Sequence, residues 1–440
     1  MPGRRRGARA SDVSSAGVRA LEGLRSSAVG RALLELAEAE EGVYLVGGAV
    51  RDGMLGRTPR ELDVVTQGDA PALARELARR LGVRAVVHGR FGTATVRADG
   101  CRADVAGTRT ESYERPGALP TVCLGASLEE DLGRRDFTVN AIAVALGVPD
   151  RGQVVSVPEA QGDLRRGCLR VLHDQSFTED PTRLLRLARY RARLRLVVER
   201  HTRELAVAAR DGGALATVSG ARLGGELRLA LEESDPLLAV EALDDLGLLG
   251  ALLEGLELDR GVAAAAALAL AEVGGGAGAD DVGALLLAVC GWRVEQGRLH
   301  RWLADLDFPA STRDLILTAT ADPMGLAAAL GGARGPSELA MVCARQPPAA
   351  LALAGALGAA EPVRRWLGDL RHVHLHITGD DLVAAGVPPG PQIGQRLRGV
   401  LTRRLDGKLA EGREAELAAA LEGLLEEEGL LEEEGHRWSG

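Results

Sequence analysis

The stretch Val43-Tyr44-Leu45-Val46, Gly47-Gly48, Ala49-Val50-Arg51-Asp52 leaves the backbone very few paths. The apolar run reads as a short buried strand, the paired glycines allow a tight turn, and Ala49 to Leu55 reads as the start of a helix. A strand that turns into a helix through glycines presents bare N–H groups to an anion. Glu61-Leu62-Asp63-Val64-Val65 follows, and because strand side chains alternate faces, Glu61 and Asp63 point the same way. Two close carboxylates facing a triphosphate suggest Mg²⁺, which takes oxygen ligands together with substrate phosphates. Taken singly, the glycines also fit a plain turn and the carboxylates a solvated strand edge. Later motifs decide between these readings.

The chain has 440 residues, enough for about two to four structural units, since single cores seldom grow past about 250 residues. Hydrophobic residues make up 46% and aromatic ones 2%, so the core is expected to be aliphatic and mostly helical. Lys408 is the only lysine, which excludes a Walker-type loop and any lysine Schiff base away from that position. With a net charge of −9, nucleic-acid binding would need local basic surfaces. Arg4, Arg5, Arg6 and Arg9 form one; Arg183, Arg186, Arg189, Arg191, Arg193 and Arg195 crowd a single helix. On charge alone that helix equally reads as a solvated amphipathic face with its leucines in the core. Cys101, Cys123, Cys168, Cys290 and Cys343 lack metal-type spacing and read as buried free thiols of a reducing cytoplasm. No apolar run approaches a membrane span and no secretion signal is read at the N-terminus, so a cytoplasmic protein without membrane contact is expected.

The pattern predicts a disordered basic arm over 1–28, then an α+β head. Strand candidates are Val43–Val46, Leu62–Thr66, Val83–Val87, Thr93–Val96 and Cys101–Ala106; helix candidates are Ala70–Leu81 and Ser127–Leu132. Beyond about Ser176 nearly every periodic segment is helical. Gly274-Gly275-Gly276-Ala277-Gly278 marks a loop or boundary, and Glu426–Glu428 with Glu432–Glu434 reads as an acidic helix end.

Three further clusters carry chemistry. Asp104, in Arg102-Ala103-Asp104-Val105-Ala106, could add a third carboxylate to Glu61 and Asp63, as an in-line displacement at two metals requires; it could also be an exposed strand residue. Leu132-Gly133-Arg134-Arg135-Asp136-Phe137-Thr138-Val139-Asn140-Ala141 sets guanidiniums and polar groups around an expected helix start just after Asp131. Such groups suit triphosphate oxygens and ribose hydroxyls, while an Asp136 N-cap with a buried Asn140 is the structural alternative. Phe177-Thr178-Glu179-Asp180-Pro181-Thr182-Arg183 puts Asp180 and Arg183 three apart at a helix start. An Asp acceptor beside an Arg donor can read a base edge and would favour C and A, which present an amine beside an acceptor. A capping-type salt bridge gives the same sequence.

Together the Gly47–Asp52, Glu61–Asp63, Arg134–Ala141 and Glu179–Arg183 motifs resemble, in order and spacing, those of the class II tRNA nucleotidyltransferase (CCA-adding) and bacterial poly(A) polymerase family. The likeness runs from about Val43 to about Ala230 and returns near Ile377–Leu382 and Pro389–Gly394. It implies a nucleotidyltransferase palm head with a mixed β-sheet over 29–160, then an all-α neck over 161–235, body over 236–370 and tail over 371–440. It further implies metal ligands at Glu61 and Asp63 with Asp104 as third carboxylate, and triphosphate contacts near Gly47, Gly48 and Arg51. Ribose contacts would come from Asp131 and Arg134, and base selection from Asp180 and Arg183 with Arg186 nearby. Arg222 and Glu226 resemble the next neck motif, where a buried Arg–Glu pair would be supporting structure. The family usually has Asp where Glu61 stands, and Ser156 replaces a common Asp.

The implied reaction adds C and/or A of the terminal CCA to a tRNA 3′ end from CTP and ATP, releasing pyrophosphate. Poly(A) addition shares every head motif, although the acidic C-terminus favours tRNA; Glu111–Val122 looks most like the loop of enzymes that divide CCA synthesis, leaving CC-only or A-only addition open. A non-catalytic tRNA-binding paralogue would explain Glu61 but not the aligned Asp180 and Arg183. His372-Val373-His374-Leu375-His376 would place three imidazoles on one strand face, with no carboxylate or cysteine set to complete a metal site.

Overall fold

The computed structural model describes residues 15–59, 61–88, 92–272 and 279–422. It divides into two compact units, Met1–Leu252 and Leu253–Gly440.

The first unit begins with α1 (Ser15–Arg25) and α2 (Ala28–Leu36). The expected disordered arm is therefore corrected from Ser15 onward, while Arg4, Arg5, Arg6 and Arg9 lie outside the described residues. Ala16, Ala20, Leu21 and Leu24 share one helical face and are buried. α1 packs on α3 (Gly48–Met54), so closely that a Cβ on Gly53 would stand 2.9 Å from Ala20 Cα.

The sheet is assembled from β1 (Val43–Val46), β2 (Glu61–Thr66), β3 (Ala85–His88), β4 (Thr93–Ala98), β5 (Cys101–Gly107), β8 (Ile142–Ala145) and β9 (Val154–Ser156), in the order β3-β4-β5-β2-β1-β8-β9. β2 and β5 run parallel and the other neighbours antiparallel, which is the expected mixed sheet. β6 (Arg109–Ser112) and β7 (Thr121–Leu124) form a separate hairpin. α4 (Ala70–Leu81) starts at Asp69, whose side chain accepts from the Ala72 N–H, and ends at Gly82 in the left-handed conformation. α5 (Leu128–Gly133) opens with a Ser127–Glu130 capping box. The Arg134–Asn140 cluster thus follows a helix end rather than a helix start, and a single 3₁₀ turn, Thr138–Asn140, leads into β8.

Helices α6 (Ala160–Arg166), α7 (Ser176–Glu179), α8 (Thr182–Leu194), α9 (Arg200–Asp211), α10 (Gly220–Leu231), α11 (Pro236–Asp245) and α12 (Leu248–Leu252) complete this unit. α8 buries Leu184, Leu185 and Leu187 and packs against α10 and α11. Arg191 of α8 reaches Asp245 of α11 at 2.6 Å, so α11 belongs with the neck helices and the expected boundary at 235 moves towards 252.

Every described element of the second unit is helical, from Arg260–Glu272 to Arg413–Leu421. Leu330, Leu339, Cys343, Leu351, Val363 and Leu367 form one core cluster, and Ile377, Leu382, Val387 and Val400 form a smaller one in the segment expected as tail. The histidines do not lie on a strand: Leu370–His372 is a 3₁₀ turn, and His376 Nδ1 lies 3.3 Å from the buried Glu416. The five cysteines are free, but Cys123 is exposed and Cys168 half-buried, against the expectation that all are buried. Among the described residues no helix is long and apolar enough to cross a membrane. The 274–278 glycines and the two C-terminal acidic clusters lie outside the described residues. Because Leu24 is fully enclosed, Leu24→Ala is expected to destabilise the protein by about 2–5 kcal/mol in denaturant unfolding, whereas a residue on a disordered arm would leave the midpoint unchanged.

Candidate functional site

Gly47 closes β1 with φ 65°, a conformation that favours glycine, and its N–H donates to Ile142 O at 3.1 Å. A Cβ here would stand 3.0 Å from Arg135 Nη1 and 3.5 Å from Asp63 Oδ2. The turn, a guanidinium and a carboxylate therefore meet at one point, and the bare glycine leaves room between them. Arg51, expected at the triphosphate, is buried beside the turn, where a Cβ on Gly48 would stand 3.5 Å from its Nη2. Its Nη1 donates to Asn140 Oδ1 at 2.5 Å and its Nε to Asp52 Oδ1 at 2.9 Å.

Strand register lines up the carboxylates. Asp63 of β2 pairs with Asp104 of β5 on one side and with Val46 of β1 on the other, and Glu61 stands two residues before Asp63 on the same face. Asp63 is exposed at the cavity; desolvation by the protein around its carboxyl pushes its pKa above the ordinary value, and the neighbouring Asp104 and Glu61 charges push the same way, against Arg135 and Arg102. Neither the Glu61 nor the Asp63 side chain makes a hydrogen bond or ion pair among the described residues. Asp104 is engaged: Thr95 Oγ1 donates to its Oδ1 at 2.6 Å, and Arg102 Nε lies 2.8 Å from its Oδ2. As the side chains stand, no three His, Cys, Asp or Glu among the described residues converge as a metal cage. The donor chemistry of Glu61 and Asp63 nonetheless fits a hard divalent cation, since Mg²⁺ is held by one or two carboxylates and completed by water and phosphate. Asp104 would share its oxygens between such a cation and its Thr95 and Arg102 contacts.

Asp131 was expected at the ribose, but its side chain is fully buried and accepts from Arg134 Nη2 at 2.7 Å, Arg135 Nη2 at 3.0 Å and the Arg109 N–H at 3.3 Å. These guanidiniums outweigh the burial that would raise its pKa and hold the carboxyl below the ordinary value. Asp131 thus aims two arginines. Arg134 also reaches Glu111 at 2.7 Å, and Arg135 extends Nη1 over the glycine turn.

A second buried carboxylate ties the head to α8. Asp136 Oδ1 accepts from Asn140 Nδ2 at 3.0 Å and from the Phe137 N–H at 2.8 Å; its Oδ2 accepts from Arg186 Nη2 at 2.5 Å and Nε at 3.0 Å. Burial alone would raise the Asp136 pKa, but Arg186 and Asn140 hold it down at about 2. Arg186 also donates to Glu226 at 3.0 Å, and Tyr190 lies under the guanidiniums of Arg51, Arg186 and Arg189 at 5.6, 5.5 and 5.0 Å. Arg186 lines the cavity with most of its donors committed to Asp136, Glu226 and Tyr190. Glu226 meets Arg186 and Arg189, while Arg222 meets Asp180; the expected Arg222–Glu226 pair is not formed.

At the α7–α8 junction, Asp180 Oδ1 accepts from Thr182 Oγ1 at 2.6 Å, from the Thr182 N–H at 3.2 Å and from Arg222 Nη2 at 2.8 Å. Its Oδ2 has no donor among the described residues. The Arg183 guanidinium donates to Ser176 Oγ at 3.1 Å and to Arg134 O at 3.0 Å, and its backbone N–H to Asp180 O at 3.0 Å; no salt bridge joins the Arg183 guanidinium to the Asp180 carboxylate. Arg189 and Arg183 of this helix are buried, contrary to a purely solvated arginine face.

Gly47, Gly48, Asp63, Arg134, Arg135, Asp180, Arg183 and Arg186 line one cavity of about 750 Å³. Glu61, Asp104, Arg51 and Asp131 are not on its wall. Arg135, Tyr113 and Tyr190 are on it as well. Arg135 belongs to the guanidinium cluster and Tyr113 to the 111–122 loop that sequence singles out, without a role for either by itself; Tyr190 carries no sequence signal. Burial pushes the Tyr113 phenol up to about 12, with Glu111 and Asp180 adding to the rise against Arg183.

A mixed sheet with a glycine turn beside paired carboxylates is the head of a nucleotidyltransferase, and residues 43–170 match the model of the Poly A polymerase head domain. The chain is 34% identical over 379 residues to the CC-adding tRNA nucleotidyltransferase of Deinococcus radiodurans, covering 85% of this chain and 87% of that one. It is 36% identical over 393 residues to an A-adding tRNA nucleotidyltransferase of Geobacter sulfurreducens, covering 85% of this chain and 44% of the relative. Among solved structures, a CCA-adding enzyme in complex with CTP superposes with a TM-score of 0.76 at 25% identity, over 93% of this chain and 98% of that one. The chain belongs to the tRNA nucleotidyltransferase and poly(A) polymerase family. It spans half or less of the length of the A-adding relatives it matches.

Asp136 sits below its unfolded value of about 3.9, so its stabilisation is present above that pH and fades as pH falls through about 2. Arg186→Ala strands the buried carboxylate. It is expected to cost about 3–5 kcal/mol at pH 7 and to move acid unfolding to higher pH, measured by denaturant melts across pH.

Proposed function

We propose that this chain adds C and/or A to the 3′ end of tRNA from CTP and ATP with release of pyrophosphate. One observation carries the reading: the glycine turn with Asp63 and the Asp180–Arg183 pair line the same cavity. A phosphate-and-metal centre and a base-reading pair are what a polymerase without a nucleic-acid template requires.

In this reading the Gly47–Gly48 backbone and Arg135 receive the triphosphate, and Arg134 borders the sugar. Asp180 keeps Oδ2 open to accept from an exocyclic amine, and Arg183 retains N–H groups beyond the two it has committed, for a ring nitrogen or carbonyl. That arrangement accepts the edges of C and A, whereas G or U would set a carbonyl oxygen against the Asp180 carboxylate where C and A present an amine. Glu61 and Asp63, joined by Asp104, would hold a divalent cation such as Mg²⁺, which would neutralise phosphate charge and lower the pKa of the RNA 3′-hydroxyl. Asp136 and Arg186 keep the two halves of the cavity in register. Glu61 extends one methylene further than the usual Asp, which its freedom from protein partners accommodates. A cytoplasmic location accords with such a substrate.

The test is incubation of the purified protein and Mg²⁺ with tRNAs ending before CCA, after C or after CC, with CTP and ATP singly and together. Addition to at least one of these is expected; none would remove the enzyme reading in favour of a tRNA-binding paralogue, and long A tracts on unrelated RNA would establish poly(A) synthesis instead. Asp63→Ala is expected to lower addition by at least about 1000-fold, an effect of the size seen when a reaction loses its main charge-stabilising group. Its melting temperature is expected to hold or rise, because the ionised Asp63 is disfavoured where it stands. Retained turnover would take Asp63 out of the metal site.

A further inference from the structure

The alternation that places Glu61 and Asp63 on one face continues across the sheet. Register sets Glu61 beside Arg102 and Asp63 beside Asp104, then Arg102 opposite Arg97 and Asp104 opposite Thr95. The Thr95–Asp104 and Arg102–Asp104 contacts show that these side chains share the face. Ala85 pairs with Val96, so Arg84, directly before β3, continues the level of Arg97. The result is a rung running outward from Glu61 through Arg102 and Arg97 to Arg84.

This rung is not explained by stability. Arg97 and Arg102 are directly opposed like charges on antiparallel strands, an arrangement that destabilises a sheet. Arg84 and Arg97 are exposed and make no hydrogen bond or ion pair among the described residues. α5 covers this face only near β1 and β8, where Leu128 and Leu132 pack on Val46, Val65 and Ala143; farther out Val86 is 57% exposed. Glu61, Arg97 and Arg102 line a second groove of about 490 Å³ with the 98–101 turn.

Direction decides what the rung binds. The glycine turn and Arg135 approach Asp63 from the β1 side, and the rung lies on the β5–β4 side. In-line displacement puts the attacking hydroxyl opposite the leaving pyrophosphate. With the triphosphate on the glycine turn, the RNA end must arrive across β5 and β4. We infer that Arg97 and Arg84, continuing from Arg102, receive the phosphodiester backbone of the terminal nucleotides of the RNA being extended. This rests on the nucleotide-adding reading. Guanidiniums on an open sheet bind backbone phosphate without reading sequence, which suits a primer whose last base changes at each addition.

The test uses the full chain with Arg84→Ala/Arg97→Ala; Arg102 is left intact because it touches Asp104. The KM for tRNA is expected to rise about 5- to 10-fold, with kcat at saturating tRNA and the KM for CTP and ATP unchanged. Arg84→Lys/Arg97→Lys is expected to recover part of the loss. Binding of a labelled tRNA without nucleotide should weaken similarly, with a salt slope shallower by about one. An unchanged tRNA KM and affinity would overturn the inference, as would a rise confined to the nucleotide KM, which would assign the rung to the triphosphate. If the wild type adds nothing to any tRNA, the nucleotide-adding reading fails on its own, and the binding comparison still decides whether the rung holds RNA. A melting temperature at or above wild type excludes misfolding as the cause.

Discussion

The buried pair between Asp136 and Arg186 joins the two halves of this molecule's chemistry. Through Asp136 it reaches Asn140 and from there Arg51, which lies beside the glycine turn. Through Arg186 it reaches Glu226 on α10, and α8 itself carries Arg183. A carboxylate held at about 2 in a buried site is ionised at any working pH, so the link is permanent. Strand geometry alone would position Glu61, Asp63 and Asp104, and helix geometry alone Asp180 and Arg183. The ion pair fixes one against the other, and the Arg183 bond to Arg134 O repeats the connection nearer the cavity.

Two kinds of arginine follow from this. Arg51, Arg186 and Arg189 are largely committed to carboxylates, an amide oxygen or the Tyr190 ring. Arg135 and Arg183 keep donors for a ligand, while Arg97 and Arg84 are held by no partner among the described residues. Sequence lists all of them as equal positive charges; contacts separate them. An arginine-rich acidic protein can therefore bind a polyanion locally despite a net charge of −9.

The elements that sequence places best are those with a local cause. β1, the glycine turn and α4 agree with their residues because alternation, glycine punctuation and an Asp cap act within a few positions. β8 was missed because it is buried on both faces between β1 and β9, so its residues show no alternation. α1 was taken as an arm because its neighbours are arginine- and serine-rich, although its own apolar residues share a face that only packing on α3 makes decisive. In the site, the motifs around Asp63, Asp180 and Arg183 are legible. The contacts of Arg51 with Asn140 and of Arg186 with Asp136 and Glu226 are not, since they join residues 40 or more positions apart.

The central claim is that phosphate handling and base choice are separate functions of one cavity. Equilibrium binding of CTP, ATP, GTP and UTP in the presence of Mg²⁺ to Asp63→Asn and to Asp180→Ala tests it without turnover. Asp63→Asn should weaken all nucleotides alike and keep the preference for C and A, whereas Asp180→Ala should bring the four affinities together. Retained preference in Asp180→Ala, or lost preference in Asp63→Asn, would contradict the account.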